Sequence, residues 1–494
     1  MLNSIKRLLS GLTGATPADT AAPKLAQVTP SAGQAAAAER SRGNALLNNG
    51  MLEEAATCYQ NAVDLDPLSA DSWVNLGFAL RELGRPGSAR EALLHAVEVD
   101  RLLFDAHFIL GLIAREGGDP AGAIGYFRRA LELEPTSLPA RTELCVAAFE
   151  GRQLDLAWET VRAGIRQDPG VSEFHYLAGN LLSHERAHAQ AVTSYERALA
   201  IEPNQPTALH NLGLALTALG RIDEAIATLR QALTIDNAYG QAHSSLAAAL
   251  IAQGRPDEAI LSARHALSLN PADVEALNNL GNAQLAKGQV AQSIESYQMA
   301  LAVQPDHADA LGNMGLALHT LGRLDEAASC FQRVLAIDPQ RALTHNNLGN
   351  TLQRQNKLEA AVSSYRRALA IDPHLANVHS NIAGAWQAQG EHSLAIASWR
   401  EALRLKPDYF EAWSNLLYSL NFLPGSTPAQ YLLEARRFGD AVAAAARPWR
   451  SWPESSRTPE RRLRVGFVSG DLRAHSVGLF LESIITLLTE GLSS

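Results

Sequence analysis

One short segment of the chain has the residue spacing of a zinc hydrolase site. His184, Glu185 and His188 form the pattern His-Glu-x-x-His. On a continuous helix this spacing puts both histidines on one face to bind zinc and leaves the glutamate as a general base. Here the segment falls where the surrounding pattern predicts a turn between two helices. Because a turn breaks the helical spacing, we expect solvated turn residues and no zinc site.

A second set of histidines recurs at multiples of 34 residues. Zinc–imidazole bonds are only ~2 Å long, whereas equivalent positions on neighbouring packed helices lie about 8–10 Å apart. We therefore predict aromatic side chains that pack or line a groove. The set is His107, His175, His243, His345 and His379, with Trp73 and Trp413 at the same position. The chain has no GxxxxGK phosphate loop and no GxSxG nucleophile motif, so the repeats themselves show no enzyme.

Asparagine recurs with the same 34-residue period at another position. An asparagine amide both donates and accepts hydrogen bonds, so a row of amides can bind a polypeptide backbone whatever its side chains. We therefore predict a groove for extended polypeptides; the alternative is that Asn-Leu-Gly is simply common in this repeat. The predicted groove residues are Asn211, Asn279, Asn313, Asn347, Asn381 and Asn415, and Asn75 holds the same position earlier in the chain.

These positions belong to an internal repeat of 34 residues that runs from 36 to 409 in eleven units. Each unit has a small residue, here called the anchor. Alanine follows twelve residues after most anchors, and proline follows twenty-four residues after most of them. The anchors of repeats 1 to 11 are Gly43, Gly77, Gly111, Cys145, Gly179, Gly213, Ala247, Gly281, Gly315, Gly349 and Ala383.

The repeated positions predict two antiparallel helices in each unit. Small residues let the helices approach closely, a glycine ends the first helix, and the proline closes the unit because it cannot continue a helix. In the turns at 220–225, 254–259 and 322–327, which read Gly-Arg-x-Asp-Glu-Ala, we expect the aspartate to cap the second helix.

This pattern resembles the tetratricopeptide repeat over about three quarters of the chain. Such units stack into an all-α superhelical solenoid, and the first helices of the units line a concave groove. The resemblance therefore implies a protein-binding array.

Composition agrees with this fold class. Of the 494 residues, 47% are hydrophobic but only 6% are aromatic, which favours helices packed through small side chains. A net charge of −9 argues against nucleic-acid binding, and no apolar run reaches the ~18 residues of a membrane span. Cys58, Cys145 and Cys330 show no CxxC spacing, which argues against disulfides and zinc ribbons and favours a reducing, cytoplasmic location.

The segments outside the repeats have their own signals. We expect a flexible tail at 1–35, a terminal helix and a capping helix at 410–446, and a linker at 447–462. Thr427, Pro428 and Gln430 have the pattern of a capped helix start. Residues 463–494 read as strand, loop and helix, the start of an α/β domain.

These C-terminal segments resemble bacterial protein O-GlcNAc transferases of the SPINDLY-like family. The resemblance rests on residues 413–421, 436–439 and 461–471, and on His475. In that family a tetratricopeptide array presents proteins to a two-lobed glycosyltransferase. The enzyme moves N-acetylglucosamine from UDP-GlcNAc to Ser or Thr hydroxyls without a required metal. The resemblance implies that His475 belongs to the active site.

Residues 463–494 are too few for the family's two catalytic lobes. We therefore expect a chain that stops early in the catalytic domain, binds extended segments of protein substrates, and transfers no sugar alone. We expect no bound cofactor, with UDP-GlcNAc only as the family's donor. The alternative is a non-enzymatic scaffold built from the same repeats.

Overall fold

The computed structural model describes residues 32–445, which contain 24 helices and no strand. They form two compact units, at 32–389 and 390–445. The helices of the first unit are α1 (Ala32–Asn48), α2 (Leu52–Leu65), α3 (Ala70–Glu82), α4 (Pro86–Val99), α5 (Phe104–Glu116), α6 (Pro120–Leu133), α7 (Leu138–Glu150), α8 (Leu154–Gln167), α9 (Ser172–His184), α10 (His188–Ile201), α11 (Pro206–Ala218), α12 (Ile222–Ile235), α13 (Gly240–Ala252), α14 (Pro256–Leu269), α15 (Val274–Ala286), α16 (Val290–Val303), α17 (Ala308–Thr320), α18 (Leu324–Ile337), α19 (Ala342–Arg354), α20 (Leu358–Ile371) and α21 (Ala376–Ala388).

The predicted all-α solenoid is confirmed. Each of repeats 1 to 10 is a helical hairpin whose first helix has an odd number and whose second helix has an even one. From α3 to α21, each first helix contacts the first helix of the next repeat, whereas neighbouring second helices have no comparable contact in the described residues. Elements on the inside of a superhelix lie closest together, so the first helices form its inner face.

The anchors let the two helices of a hairpin touch. A Cβ atom added to Gly281 would lie 2.5 Å from a ring carbon of Tyr297, sixteen residues later, which leaves no room for a side chain. Two of the three repeats without a glycine anchor have a smaller partner at that position: Cys145 is followed by Val161, and Ala247 is followed by Ala263. The third, Ala383 of repeat 11, is followed by the large Trp399. The anchor and its partner therefore compensate in size in repeats 4 and 7.

The predicted turn glycines end the first helices with positive φ angles, as at Gly118 (75°) and Gly322 (77°). Glycine adopts this left-handed region at little cost. Three repeats lack the glycine but keep the same turn, with φ of 55° at Arg152, 60° at Arg186 and 59° at Asn356. The tertiary packing of the hairpin therefore imposes this turn even on residues that resist it.

The predicted aspartate caps in the Gly-Arg-x-Asp-Glu-Ala turns are wrong. Helix α12 starts at Ile222, so Asp223 lies in its first turn, and the N-cap is Arg221 without a capping side chain. The guanidinium of Arg221 instead donates to the Glu224 carboxylate at 2.7 and 2.6 Å. Asp257 and Asp325 lie in the first turn of their helices in the same way. The caps fail because each helix begins before its aspartate.

The second unit contains α22 (His392–Leu405), α23 (Phe410–Leu420) and α24 (Pro428–Ala445). The predicted cap of α24 is confirmed: Gln430 N donates to Thr427 Oγ1 at 3.3 Å, and Thr427 N donates to Gln430 Oε1 at 3.0 Å. Glu434 is 5% exposed and accepts from Arg400 at 2.9 Å, which ties α24 to α22. Across residues 32–445, none of the helices is both long and apolar enough for a membrane span.

Candidate peptide-binding face

The predicted groove asparagines lie on first helices, at the same height in each repeat. In the first unit their side chains are half-buried, and in the second unit Asn415 is exposed on α23. Those of the first unit are Asn211 on α11, Asn279 on α15, Asn313 on α17, Asn347 on α19 and Asn381 on α21.

Most of these asparagines use their amide N–H groups to join neighbouring repeats. Asn313 Nδ2 donates to Asn278 Oδ1 at 3.0 Å, and Asn381 Nδ2 donates to Asn346 Oδ1 at 2.9 Å. Asn279 Nδ2 donates to the carbonyl oxygen of the preceding repeat's Ser244 at 3.1 Å. The row therefore works first as a hydrogen-bonded seam between repeats, a role that the sequence analysis did not foresee.

Two asparagines of the row have an open carbonyl oxygen. Oδ1 of Asn279 and Oδ1 of Asn313 accept no hydrogen bond from any described residue. Each amide group also carries two N–H hydrogens, and Asn313 uses its group for one bond only. The half-buried row can thus accept from a backbone N–H and, at Asn313, donate to a backbone carbonyl.

A polar pocket of about 330 Å³ lies at this row, between repeats 8 and 10. Its lining includes Asn278, Asn282, Asn313, Asn347, Thr344 and Leu316. The cation of the pocket, Arg341, is paired with Asp309 at 2.7 Å and with Asp338 at 3.3 Å. With that charge compensated, the pocket presents mainly neutral amide and hydroxyl groups.

A second asparagine series, one residue after the anchor, was missed by sequence reasoning. Tyr297 Oη donates to Asn282 Oδ1 at 2.8 Å, and Tyr365 Oη donates to Asn350 Oδ1 at 2.7 Å. The sequence does carry a signal: asparagine occupies this position only where tyrosine follows fifteen residues later. The four pairs are Asn44–Tyr59, Asn180–Tyr195, Asn282–Tyr297 and Asn350–Tyr365.

The same row is different in repeats 3 to 5. Its positions hold Ile109, Glu143 and Leu177, all of them buried. Glu143 contacts Arg115 Nε at 3.1 Å, and burial raises the pKa of the Glu143 carboxyl although Arg115 opposes the shift. Burial and the nearby carboxylates Glu202 and Glu143 likewise raise the pKa of Glu173. This part of the inner face is apolar and acidic rather than lined with amides.

The recurring histidines are packing residues, as predicted. In each, Nε2 lies 3.0–3.3 Å from the carbonyl oxygen six residues earlier, as between His345 and Pro339 at 3.1 Å. Trp73 and Trp413 make the same bond with Nε1, at 2.9 and 3.0 Å. Burial lowers the pKa of His107 and of His243, which favours the neutral ring in this role.

The His-Glu-x-x-His segment falls on a turn, as predicted. His184 ends α9, Arg186 has a φ of 60°, and His188 begins α10, so the helical spacing is interrupted. The His184 ring instead contacts Phe149 edge-on, with 5.5 Å between ring centroids. Within the part of the chain that the structure describes, no group of three or more His, Cys, Asp or Glu residues is placed to hold a metal ion.

The remaining predicted chemistry lies partly outside the structure. His475 and the segment 463–494 are outside the described residues 32–445. The three cysteines are buried free thiols in separate repeats, and burial raises the pKa of Cys145 to about 12. A thiol with so high a pKa is not a nucleophile at neutral pH.

Comparison with known proteins agrees with the repeat. Family models described as tetratricopeptide repeat match residues 79–137, 114–181, 244–302, 278–342 and 342–375, and one described as TPR repeat matches 43–84, 187–219 and 213–254. Together these matches cover more than half of the chain. No curated protein sequence matches it.

The chain is similar to two solved structures. One is the crystal structure of the APC/C hetero-tetramer Cut9–Hcn1, with 15% identity and a TM-score of 0.47 over 78% of this chain and 96% of that chain. The other is PilF of Pseudomonas aeruginosa, with 20% identity and a TM-score of 0.39 over 42% of this chain and 96% of that chain.

Proposed function

The chain belongs to the tetratricopeptide-repeat proteins, and from that premise we propose that it is a protein-interaction scaffold whose inner face binds extended polypeptide segments. The observation that carries the proposal is the open amide oxygen of Asn279 and of Asn313, the second of which lines a polar pocket. Amides spaced regularly along one face suit a ligand whose hydrogen-bonding groups also recur regularly, which is the property of a backbone.

The hydrogen-bonded seam strengthens this proposal. Because the N–H group of Asn313 is held by Asn278, the amide plane is fixed before any ligand arrives. A fixed acceptor loses less entropy on binding than a mobile one, which raises the affinity gained from each bond. The neutral lining of the pocket also removes any strong demand for a charged ligand side chain.

The proposal is tested with a permanently unfolded probe. Reduced, carboxamidomethylated α-lactalbumin is labelled and titrated with the full chain, and binding is followed by fluorescence anisotropy. The test variant carries Asn279→Ala, Asn313→Ala and Asn347→Ala. The matched control carries Gln231→Ala, Gln298→Ala and Gln332→Ala, which remove three exposed amides from second helices.

We expect saturable binding of the unfolded probe and none of native α-lactalbumin. The asparagine variant should bind at least tenfold more weakly, since each lost hydrogen bond contributes about 0.5–1.5 kcal/mol. The glutamine variant should keep its affinity within about twofold. Circular dichroism establishes that both variants are folded. Equal affinity of the two variants would rule out the amide row as the binding surface.

We further propose that the scaffold recruits protein substrates for a glycosyltransferase of the O-GlcNAc transferase type. The support is the sequence resemblance of residues 413–421, 436–439 and 461–475. In the described residues, Phe438 stacks on Trp413 at 6.1 Å and Arg437 contacts Glu434 at 3.4 Å. These contacts give the resembling segments a structural role, which the non-enzymatic alternative accommodates equally well. The buried free thiols support the proposal of a cytoplasmic location.

The link to glycosyl transfer has its own test. A photo-cross-linking residue placed at Asn313 captures bound segments in the source cell, and mass spectrometry reads their modifications. We expect N-acetylhexosamine on Ser or Thr of the captured segments, whereas segments without sugar would contradict the link. In a separate titration, we expect the chain alone to show no saturable micromolar binding of UDP-GlcNAc.

A further inference from the structure

Repeat 2 differs from most other repeats at a position that is usually buried. Thirteen residues after the anchor, most repeats of the first unit have a buried aliphatic side chain. Arginine stands there in repeat 2, and the Arg90 side chain is exposed on α4. The buried counterparts are Ile124, Val192, Ile226, Ile260, Ile294 and Val362.

The substitution coincides with a cleft of about 510 Å³ between the hairpins of repeats 2 and 3. Pro86, Ala114 and Tyr126 form its apolar floor, while Leu110 and Ile113, which are only 1% and 7% exposed, add little accessible surface. Gly87, one turn before Arg90, also lines the cleft and leaves space where a Cβ atom would meet no neighbour within 4 Å. The position that is aliphatic in other repeats and the position without a Cβ atom therefore both border the open volume.

The polar rim of the cleft has one cation without a partner. Arg81 is engaged by Glu116 and Glu82, and Asp119 accepts from Gly122 N at 2.8 Å at the start of α6. Arg90 forms no ion pair within residues 32–445, and the Tyr126 hydroxyl accepts or donates no hydrogen bond there. The groups left for a ligand are a guanidinium and a phenol beside an apolar floor.

We propose that this surface, the Arg90 cleft, is a second protein-docking site that takes an apolar side chain next to an acidic residue of a partner chain. The apolar side chain packs on Pro86, Ala114 and Tyr126, and the carboxylate pairs with the Arg90 guanidinium. The cleft is bordered by the turns at Gly84 and Gly117, away from the amide row of repeats 8 to 10. It is therefore independent of the proposed peptide groove.

Two fragments separate the apolar contact from the carboxylate contact. 4-Phenylbutyrate carries an apolar body and a carboxylate, and 4-phenylbutan-1-ol has the same body without the charge. Binding to the full chain is measured by saturation-transfer NMR with titration. For 4-phenylbutyrate we expect a Kd on the order of 1 mM, the range of a ligand of this size. The alcohol should bind at least threefold more weakly.

Three variants sharpen the result. Arg90→Ile restores the residue type of the other repeats, so it should fold, raise the melting temperature and abolish binding of both fragments. Arg90→Gln should weaken the binding of 4-phenylbutyrate at least threefold and leave the binding of 4-phenylbutan-1-ol unchanged. Arg128→Ile removes the exposed arginine of α6 and serves as the matched control, which should change neither.

The partner chemistry is tested by competition. An N-acetylated, C-terminally amidated peptide, Ser-Gly-Ser-Phe-Glu-Gly-Ser, should displace 4-phenylbutyrate, whereas the same peptide with Phe-Lys should not. The asparagine triple variant of the peptide groove should bind the Phe-Glu peptide as tightly as the unaltered chain does, which separates the two sites. Unchanged fragment binding by Arg90→Ile, or equal competition by the two peptides, would overturn the proposal.

Discussion

Repeats 3 to 5 and repeats 8 to 10 share one helical hairpin but present different chemistry on the inner face. In repeats 8 to 10 the row two residues before the anchor is asparagine, and Asn279 and Asn313 are hydrogen-bonded to the preceding repeat and open at their carbonyl oxygens. In repeats 3 to 5 the same row is Ile109, Glu143 and Leu177. The hairpin therefore depends on the anchors and their partners, and the row is free to vary. Four sets of substitutions test this separation.

The largest effect is expected from exchanging anchors between the two regions. Gly281→Cys drives a side chain into the ring of Tyr297 and should cost about 3 kcal/mol, the upper range for overpacking. Cys145→Gly faces the smaller Val161 and should cost only about 1 kcal/mol. Hydrogen exchange of the amides in the affected hairpin measures the local free energy of opening. Equal costs would show that anchor and partner do not compensate.

The second effect concerns the seam. Asn313→Ile leaves the Asn278 side chain, 6% exposed, without its donor and should cost about 2 kcal/mol. Adding Asn278→Val copies the apolar pair Val74 and Ile109 of repeats 2 and 3, so at least half of that loss should return. Thermal unfolding of the single and double variants measures the coupling. A double variant less stable than the single one would contradict the idea that either chemistry can join the repeats.

The third effect concerns the turns. Arg152 occupies a left-handed turn where other repeats have glycine, so Arg152→Gly should stabilise the chain by about 0.5–1 kcal/mol. Gly322→Arg makes the reverse change in repeat 9 and should cost about 1 kcal/mol. Urea unfolding followed by circular dichroism compares the two. A loss of stability in Arg152→Gly would show that the arginine side chain contributes more than its backbone strain costs.

The smallest effect concerns the acidic part of the face. Because burial and neighbouring carboxylates raise the pKa of Glu173, the folded state binds more protons than the unfolded state at pH values above the ordinary carboxyl pKa of about 4.3. The contribution of Glu173 to stability therefore falls as the pH rises through that range. Glu173→Gln should gain roughly 0.5 kcal/mol near pH 7, the size of an ordinary surface effect.

Melting temperatures at several pH values measure that gain. The advantage of Glu173→Gln should shrink as the pH falls toward about 4, where the native carboxyl is itself protonated. Glu159→Gln on the exposed side of α8 is the matched control and should show no such trend. A gain independent of pH would assign the effect to packing instead of charge.

The sequence predicted the hairpins, the turns and the cap of α24 because these depend on local residue types at fixed spacing. It also placed the asparagine row on first helices. The direction of each amide could not be predicted, because Asn278 and Asn313 are 35 residues apart and meet only after two repeats stack. The prediction of the aspartate caps was wrong because Asp223 lies two residues after the N-cap Arg221, inside the first turn of its helix. The Arg90 cleft could not be predicted from the sequence, because its lining residues belong to repeats 2 and 3 and come together only when the two repeats pack.

The bond between the ring nitrogen and the boundary carbonyl has a consequence for how such a chain grows. His345 contacts the carbonyl oxygen of Pro339, the proline that closes the preceding repeat, and Trp413 contacts that of Pro407 in the same way. A unit of this kind carries the aromatic residue near its start and the closing proline near its end, so tandem duplication forms the same bond again at each new boundary. Gene duplication can then lengthen the array in whole units, each adding one more position to the inner row.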